Sequence, residues 1–291
     1  MSGYQLTKNH GQHFLTNTAV IQNIVRLAEI RSSDTVLEIG PGSGNLTMHL
    51  LPVAKHVIAI EIDPRMVSEL KKRVPPELRS KLTVISGDFC KMPEIPPFDI
   101  CVSNCPYNVS SSILFKLLSL AHTSTRIRKF TLMFQLEFCQ GIVAEPNQSA
   151  YSRLSVNTRL LAKSAKIILK VGPQNFTPPP KVDSAVVEVI PQTNQNLSMQ
   201  EYLQFEGLTR VCFSKKNRQL SAIFGVKFLL KELVQNYILA NKKQITTEEL
   251  KILIAESIAE NTFQEIRSAK MSVDDFLMLL SSLTKRGVYF A

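Results

Sequence analysis

The first 190 residues alternate between short apolar runs rich in β-branched residues and longer stretches whose apolar positions recur with a helical period. One such helical stretch begins at Pro64, a residue type favoured in the first turn of a helix, and another covers 151–164. Strands that alternate with helices predict an α/β fold with a doubly wound, mostly parallel, seven-stranded Rossmann-like sheet. The predicted strands are 35–39, 56–62, 82–86, 99–103, 129–134, 166–171 and 185–190.

The pattern changes after the polar segment 190–198, which contains a proline and no apolar run. Beyond it the strand signal disappears and helical patterns take over. Two of these helices are preceded by capping residues, one at Thr246 or the next threonine and one at Ser272. We therefore predict two domains, with the sheet in residues 1–190 and a smaller all-α domain in residues 191–291.

The charge balance favours an anionic partner. The 291 residues include 34 Lys and Arg against 24 Asp and Glu, a formal net charge of +10, and the isoelectric point is near 9.4. No apolar run is long enough to span a membrane, and the N-terminus does not resemble a signal peptide, so we expect an intracellular protein without membrane contact. The five cysteines form no CxxC pair, which indicates a reducing compartment and no metal site.

A glycine-rich loop follows the first predicted strand. Gly40, Gly42 and Gly44 are spaced GxGxG, which lets the backbone approach a bound cofactor closely. Glu61 ends the next strand, where an acidic side chain commonly accepts hydrogen bonds from a ribose. A nicotinamide dinucleotide would prefer a third glycine at the position that Asn45 occupies. These features favour a nucleoside-containing cofactor without phosphates.

The third predicted strand leads into Asp88 and Phe89. The carboxylate of Asp88 can accept a hydrogen bond from an adenine amino group, and the ring of Phe89 can pack against the adenine ring. Their position after the third strand places them at the same sheet edge as the glycine loop.

The fourth predicted strand ends in the sequence NCPY, residues 104–107. The side-chain oxygen of Asn104 and the backbone carbonyl of Cys105 can each accept one hydrogen of an exocyclic amine, while Pro106 stiffens the segment and Tyr107 stacks on a base. An aromatic amine is a poor nucleophile because its lone pair is delocalised into the ring. Two acceptors that draw its hydrogens towards a tetrahedral geometry return electron density to the nitrogen. Orientation and electrostatics would then be enough to make such an amine attack an electrophile.

The chain resembles the ribosomal-RNA adenine dimethyltransferases, or dimethyladenosine transferases, whose relatives include the erythromycin-resistance methylases. The matching motifs run in order through residues 8–190, and VCFSKKNRQL (211–220) extends them into the second domain. The other motifs are GQHFL (11–15), VLEIGPGSGNLT (36–47), IEIDPRM (60–66), GDF (87–89), NCPYNVSSSILFKLL (104–118), LMFQLEF (132–138), YSRLSVNTRLLA (151–162) and NFTPPPKVDSAVV (175–187).

This resemblance implies a class I methyltransferase domain in residues 1–190, with S-adenosyl-L-methionine as the methyl donor and His13 and Leu15 at its methionine end. It implies N6,N6-dimethylation of two adjacent adenosines near the 3' end of small-subunit rRNA. His13 and the FQLEF motif favour the eukaryotic and archaeal branch. We therefore expect a nucleolar or cytoplasmic factor that acts on a pre-ribosomal particle and is a monomer outside it. Cys105 replaces the usual leucine, but only its carbonyl is needed.

Several further residues are candidates for RNA contact. The resemblance places the loop with Phe176 over the pocket, where its ring would stack on a base. Lys181 lies in the same loop and can neutralise a phosphate. Leu136 stands where many relatives have a basic residue, which argues against RNA contact there. A basic cluster around Phe213 in residues 191–291, the predicted RNA-binding domain, suits phosphate contact. Its members are Arg210, Lys215, Lys216 and Arg218.

Two alternatives stay open. The chain could be a methylase-derived assembly or transcription factor that binds RNA or DNA with little catalysis, although the intact set of Asn104, Pro106 and Tyr107 argues against this. A nicotinamide-dependent oxidoreductase is the other alternative, and Asn45 disfavours it.

Overall fold

The computed structural model describes residues 13–192 and 197–290. Within these ranges the chain forms two compact units. The first comprises the residues up to Val143 together with those from Leu161 to the gap, and the second comprises Ala144–Leu160 with the residues after the gap. The sequence predicts that all of residues 1–190 belong to one domain. In the structure, Ala144–Leu160 instead belongs to the same compact unit as the C-terminal helices.

The first unit is built on a seven-stranded sheet with the order β4-β3-β2-β5-β6-β9-β7. All strands run parallel except β9, which is antiparallel to both β6 and β7. A separate antiparallel pair joins β1 to β8. The strands are β1 Phe14–Leu15, β2 Thr35–Ile39, β3 His56–Glu61, β4 Leu82–Ser86, β5 Ile100–Asn104, β6 Lys129–Gln135, β7 Ala162–Val171, β8 Phe176–Thr177 and β9 Ser184–Pro191. The predicted mostly parallel, seven-stranded sheet is confirmed.

Helices separate most of these strands in the first unit and make up most of the second. They are α1 Thr18–Ala28, α2 Thr47–Leu50, α3 Pro64–Arg73, α4 Ser110–His122, α5 Leu136–Val143, α6 Arg153–Leu161, α7 Met199–Cys212, α8 Leu220–Phe224, α9 Lys227–Asn241, α10 Thr247–Glu260 and α11 Val273–Lys285. No helix in these ranges has the length and apolar character needed to cross a membrane.

The helix starts follow local capping chemistry. Asp63 accepts the N–H of Arg65 ahead of Pro64 in α3. Capping boxes begin α10 at Thr246 and α11 at Ser272, as the sequence predicted. The helix predicted over 151–164 ends earlier, at Leu161, because the residues from Ala162 onward pair with β9 in the sheet.

The core of the first unit covers both faces of the central strands, with Val36, Val57 and Ile100 fully buried on one face and Leu37 and Cys101 fully buried on the other. Strands buried on both faces read as continuous apolar runs, which is why the sequence pattern located them. The carboxyl ends of β2, β3, β4 and β5 meet at one edge of the sheet, and the loops that follow them form the candidate site.

Candidate active site

A cavity of about 170 Å³ opens at the carboxyl edge of β2 to β5. Its wall includes every residue predicted to bind the cofactor, together with the NCPY segment. The predicted residues in the wall are His13, Leu15, Gly40, Gly42, Glu61, Asp88, Phe89, Asn104, Cys105, Pro106 and Tyr107. Folding therefore brings together residues that lie as much as 94 positions apart in the sequence.

The glycine loop needs its glycines for two reasons. Gly40, Gly42 and Gly44 have φ angles of +66°, +55° and +83°, in the left-handed region that favours glycine. A Cβ at Gly42 would also lie only 2.6 Å from the ring of Phe14 in β1. The loop thus packs directly beneath β1, and a side chain at Gly42 would disturb that contact.

Glu61 fixes this loop. Its Oε2 accepts the N–H of Gly42 at 3.0 Å, and its Oε1 accepts the N–H of Asp63 at 2.9 Å. Burial raises the pKa of the Glu61 carboxyl, while these two backbone hydrogen bonds lower it. Each carboxylate oxygen can accept a second hydrogen bond, so Glu61 retains the capacity to bind a ribose hydroxyl.

Glu38 is a second buried acid in the wall, and the sequence analysis missed it. Its side chain is 1% exposed, and Thr47 Oγ1 donates to its Oε2 at 2.6 Å. Burial raises the pKa of Glu38 to about 8, with a further contribution from the charge of Glu61. Glu38 is therefore mainly protonated at neutral pH. The sequence does contain a signal for Glu38, since it is an acidic residue inside an apolar strand, two positions before Gly40.

Asp88 and Phe89 form the wall after β4. Asp88 Oδ1 accepts the N–H of Cys90 at 2.9 Å, and its Oδ2 lies 3.8 Å from Lys91 Nζ. Phe89 is buried, and Lys116 Nζ lies 5.0 Å from its ring centroid while donating to its carbonyl at 2.6 Å. Lys116, which lies in α4, therefore fixes the position of Phe89.

The amide of Asn104 has a defined orientation. Its Nδ2 donates to the carbonyl of His13 at 3.3 Å, which leaves Oδ1 as the acceptor for an incoming amine. The next peptide is held because the N–H of Cys105 donates to the carbonyl of Met133 at 3.1 Å. Both acceptors of the predicted clamp therefore belong to a segment anchored by the sheet.

Tyr107 lies beside His13, with ring centroids 6.0 Å apart and planes inclined by 28°. Its hydroxyl is 2.6 Å from Ser184 Oγ, and His13 Nδ1 is 2.8 Å from the carbonyl of Pro178. Because a carbonyl only accepts, His13 must carry a proton on Nδ1. Burial raises the pKa of the Tyr107 phenol, so it remains protonated at neutral pH.

Phe176 does not line the cavity, whereas the sequence analysis expected its ring to lie over the pocket. Its ring is 3% exposed and belongs to the core of the first unit, and its strand β8 pairs with β1. Leu15 also belongs to this core, although it reaches the cavity wall. Lys181 is exposed on the loop between β8 and β9, where it remains accessible to a phosphate.

The basic cluster lies in the second unit, and its members differ in role. Lys216 donates to the carbonyls of Ser149 at 2.7 Å and Tyr151 at 2.9 Å, so it anchors a loop and keeps one N–H donor for a phosphate. Lys215 and Arg218 are exposed.

Arg210 is about half exposed and lies 3.8 Å from Glu232. Arg153 and Phe213 line the same surface depression as Arg210. The sequence analysis did not select Arg153, because it lies far from the cluster along the chain.

The five cysteines are free thiols, and four of them are buried. Burial raises the pKa of Cys105 to about 12, so its side chain stays a neutral thiol beside the cavity. In the described ranges, no group of three or more His, Cys, Asp or Glu side chains is placed to hold a metal ion.

Comparisons with known proteins identify the family. The model for "Ribosomal RNA adenine dimethylase" matches residues 3–260. A probable dimethyladenosine transferase of Dictyostelium discoideum is 46% identical over 294 residues, covering 99% of this chain and 91% of the relative.

Two solved structures are also similar to this chain. The crystal structure of a dimethyladenosine transferase from Plasmodium falciparum has a TM-score of 0.84 and 39% identity, covering 96% of this chain and 100% of that one. The 23S rRNA methyltransferase ErmE has a TM-score of 0.63 and 26% identity, covering 93% of this chain and 99% of that one. The resemblance, enzyme class and fold predicted from the sequence are thus confirmed. The chain belongs to the ribosomal RNA adenine dimethylase family of rRNA adenine methyltransferases.

Proposed function

We propose that this chain transfers methyl groups from S-adenosyl-L-methionine to N6 of two adjacent adenosines near the 3' end of small-subunit rRNA. Its substrate is a pre-ribosomal particle in the nucleolus or cytoplasm, and the enzyme is a monomer outside that particle. The observation that carries this proposal is the oriented amide of Asn104 in the wall of the cavity, next to the carbonyl of Cys105 and the ring of Tyr107.

The residues of the cavity fit S-adenosyl-L-methionine better than a dinucleotide. Asn45, at the position of the third glycine of dinucleotide enzymes, donates to the carbonyl of Leu15 at 2.8 Å and accepts from Arg73 at 2.5 Å. It therefore holds β1 against the loop instead of leaving room for a pyrophosphate. Glu61 is available for the ribose hydroxyls and Asp88 for the adenine amino group.

When bound, S-adenosyl-L-methionine supplies a methyl group on a positively charged sulfur, which makes the methyl carbon electrophilic. Asn104 Oδ1 and the carbonyl of Cys105 accept the two hydrogens of the adenine N6 and localise its lone pair. Asn104 and Cys105 would thereby hold N6 towards the methyl group of a donor bound by Glu61 and Asp88, and the proton released from N6 on transfer would pass to solvent. Tyr107 stacks on the base, which must leave its helix or loop at a cost of a few kcal/mol.

The neutral state of nearby groups suits this reaction. Tyr107 is protonated because burial raises its pKa, and Cys105 is a neutral thiol for the same reason. Neither competes with the adenine as a nucleophile at neutral pH. The chemistry therefore relies on positioning and on two carbonyl-type acceptors, without a strong general base.

The test is to incubate the protein with isotopically labelled S-adenosyl-L-methionine and immature small subunits, and then to map the labelled methyl groups in the rRNA. We expect N6,N6-dimethyladenosine at two neighbouring positions near the 3' end. Label at other nucleotides would contradict the proposed substrate. A folded protein that binds the particle but neither binds the donor by calorimetry nor transfers label would instead be a methylase-derived binding factor.

A further inference from the structure

Ser184 contacts the predicted base-stacking tyrosine but is not itself in the cavity wall. Its Oγ lies 2.6 Å from the hydroxyl of Tyr107, and the serine is fully buried, at 0% exposure. A buried phenol needs a hydrogen-bond partner, and Ser184 provides one at the far end of the ring from the Tyr107 backbone.

The sheet topology explains how a serine reaches this place. The parallel strands end at the cavity edge, whereas the antiparallel strand β9 begins there, with Ser184 as its first residue. Ser184 pairs with Gln135 of β6 on one side and with Val171 of β7 on the other. Because strands flank it on both sides, its backbone has a fixed position relative to the end of the sheet.

The neighbouring ring is held from the same segment. His13, which stacks beside Tyr107, is 2.8 Å from the carbonyl of Pro178 through its Nδ1. Pro178 is the first residue after β8 and Ser184 is the first residue of β9, so the two residues border the connection 178–183. The rings of His13 and Tyr107 are therefore both held by residues that border one short connection.

The turn that carries Tyr107 is less strongly constrained than the sheet. Tyr107 begins a three-residue 3₁₀ helix after Pro106, and its side chain is only partly buried. Short 3₁₀ segments have poorer hydrogen-bond geometry than α-helices. The hydrogen bond to Ser184 ties the hydroxyl end of this side chain to a residue that is paired on both sides within the sheet.

We infer that Ser184 is a positioning residue for methyl transfer, which holds the ring of Tyr107 at the angle at which an extruded adenine stacks with N6 at Asn104. This inference rests on the proposed function, since it assigns Ser184 a task within the same reaction. Ser184 acts only through Tyr107 and touches neither the donor nor the base. Its contribution should be that of one buried hydrogen bond, or about 2- to 12-fold in rate.

The test is a double-mutant cycle with Ser184→Ala and Tyr107→Phe, measured as single-turnover methyl transfer to immature small subunits. We expect each single variant to lower the rate constant by about 2- to 12-fold, with unchanged affinity for S-adenosyl-L-methionine. Ser184→Ala should have no further effect in the Tyr107→Phe background, because the hydroxyl that Ser184 holds is already absent. Equal losses from Ser184→Ala in both backgrounds would overturn the inference.

Ser110→Ala is the matched control. Ser110 Oγ donates to the backbone carbonyl of Tyr107 at 3.0 Å, so it contacts the same residue without touching the ring. Its effect should be the same in the wild-type and Tyr107→Phe backgrounds. Stoichiometric titration with the donor gives the fraction of folded sites, so a simple loss of stability in Ser184→Ala is corrected before rates are compared.

Each failure has a distinct signature. If Ser184→Ala does not fold, Tyr107→Phe removes the same hydrogen bond from the other side, and an unchanged rate in that variant overturns the inference. If the folded wild-type protein transfers no methyl group to adenine, the proposed function itself fails. If the wild type is active and the cycle is additive, only the role of Ser184 fails.

Discussion

Replacing Glu38 with glutamine should make the protein less sensitive to alkaline pH. Burial raises the pKa of this carboxyl from an ordinary value of 4.5 to about 8. Between these two pH values the folded state holds a proton that the unfolded state has released. The contribution of Glu38 therefore opposes folding increasingly as the pH rises from about 4.5 to about 8, and becomes constant above that.

The size of the effect follows from these two pKa values. One pKa unit corresponds to about 1.4 kcal/mol, so the penalty is about 2 kcal/mol at pH 6 and about 5 kcal/mol at pH 9. The wild type should thus lose about 3 kcal/mol more than the Glu38→Gln variant between these two pH values. Thr47 can still donate to the glutamine oxygen, so the variant keeps the hydrogen bond at that position.

The assay is thermal unfolding of both proteins, without added donor, from pH 6 to pH 9. For a chain of this size about 3 kcal/mol corresponds to a melting shift on the order of 6 °C. The difference in Tm between variant and wild type should grow by that amount as the pH rises. Parallel pH profiles for the two proteins would refute the reasoning, since they would mean that Glu38 titrates normally or not at all in this range.

Other predictions follow from single contacts. Gly42→Ala should weaken S-adenosyl-L-methionine binding at least about 10-fold by calorimetry, because a left-handed φ and a contact with β1 both exclude a Cβ; unchanged affinity would refute this. Phe176→Ala should destabilise the first unit by about 3 to 5 kcal/mol in urea unfolding, and a loss under about 1 kcal/mol would show that the ring is not in the core. Lys216→Ala should lower stability by about 1 to 3 kcal/mol through loss of two hydrogen bonds to carbonyls. Lys215→Ala should instead leave the free energy of unfolding unchanged and reduce by about 1 the slope of the logarithm of RNA affinity against the logarithm of salt concentration. Loss of stability in Lys215→Ala together with a smaller salt slope in Lys216→Ala would contradict both predictions.

The sheet and the cavity wall were predictable because parallel strands have a simple geometry. Strands buried on both faces read as apolar runs, and their carboxyl ends share one edge, so residues at or just after these strand ends, such as Gly40, Glu61 and Asn104, must lie together. The family resemblance added His13, which directly precedes β1 in the chain.

What the sequence could not predict depends on where a side chain points. Phe176 lies in a loop rich in proline and polar residues, and only the pairing of β8 with β1 turns its ring into the core. Lys216 is one of several adjacent cations, and its two carbonyl partners come from residues 149 and 151, far away in sequence. Ser184 lies just before the predicted strand 185–190, and its contact with Tyr107 depends on β9 running antiparallel to its neighbours.

The most direct test of the clamp at Asn104 is single-turnover methyl transfer by the Asn104→Ala variant to immature small subunits, alongside its affinity for the particle. Loss of one of the two acceptors should slow transfer on the order of 100-fold or more, while particle binding, which we propose to rest on phosphate contacts elsewhere, should stay within about 3-fold of wild type. A variant that methylates adenine N6 at the wild-type rate would contradict the mechanism.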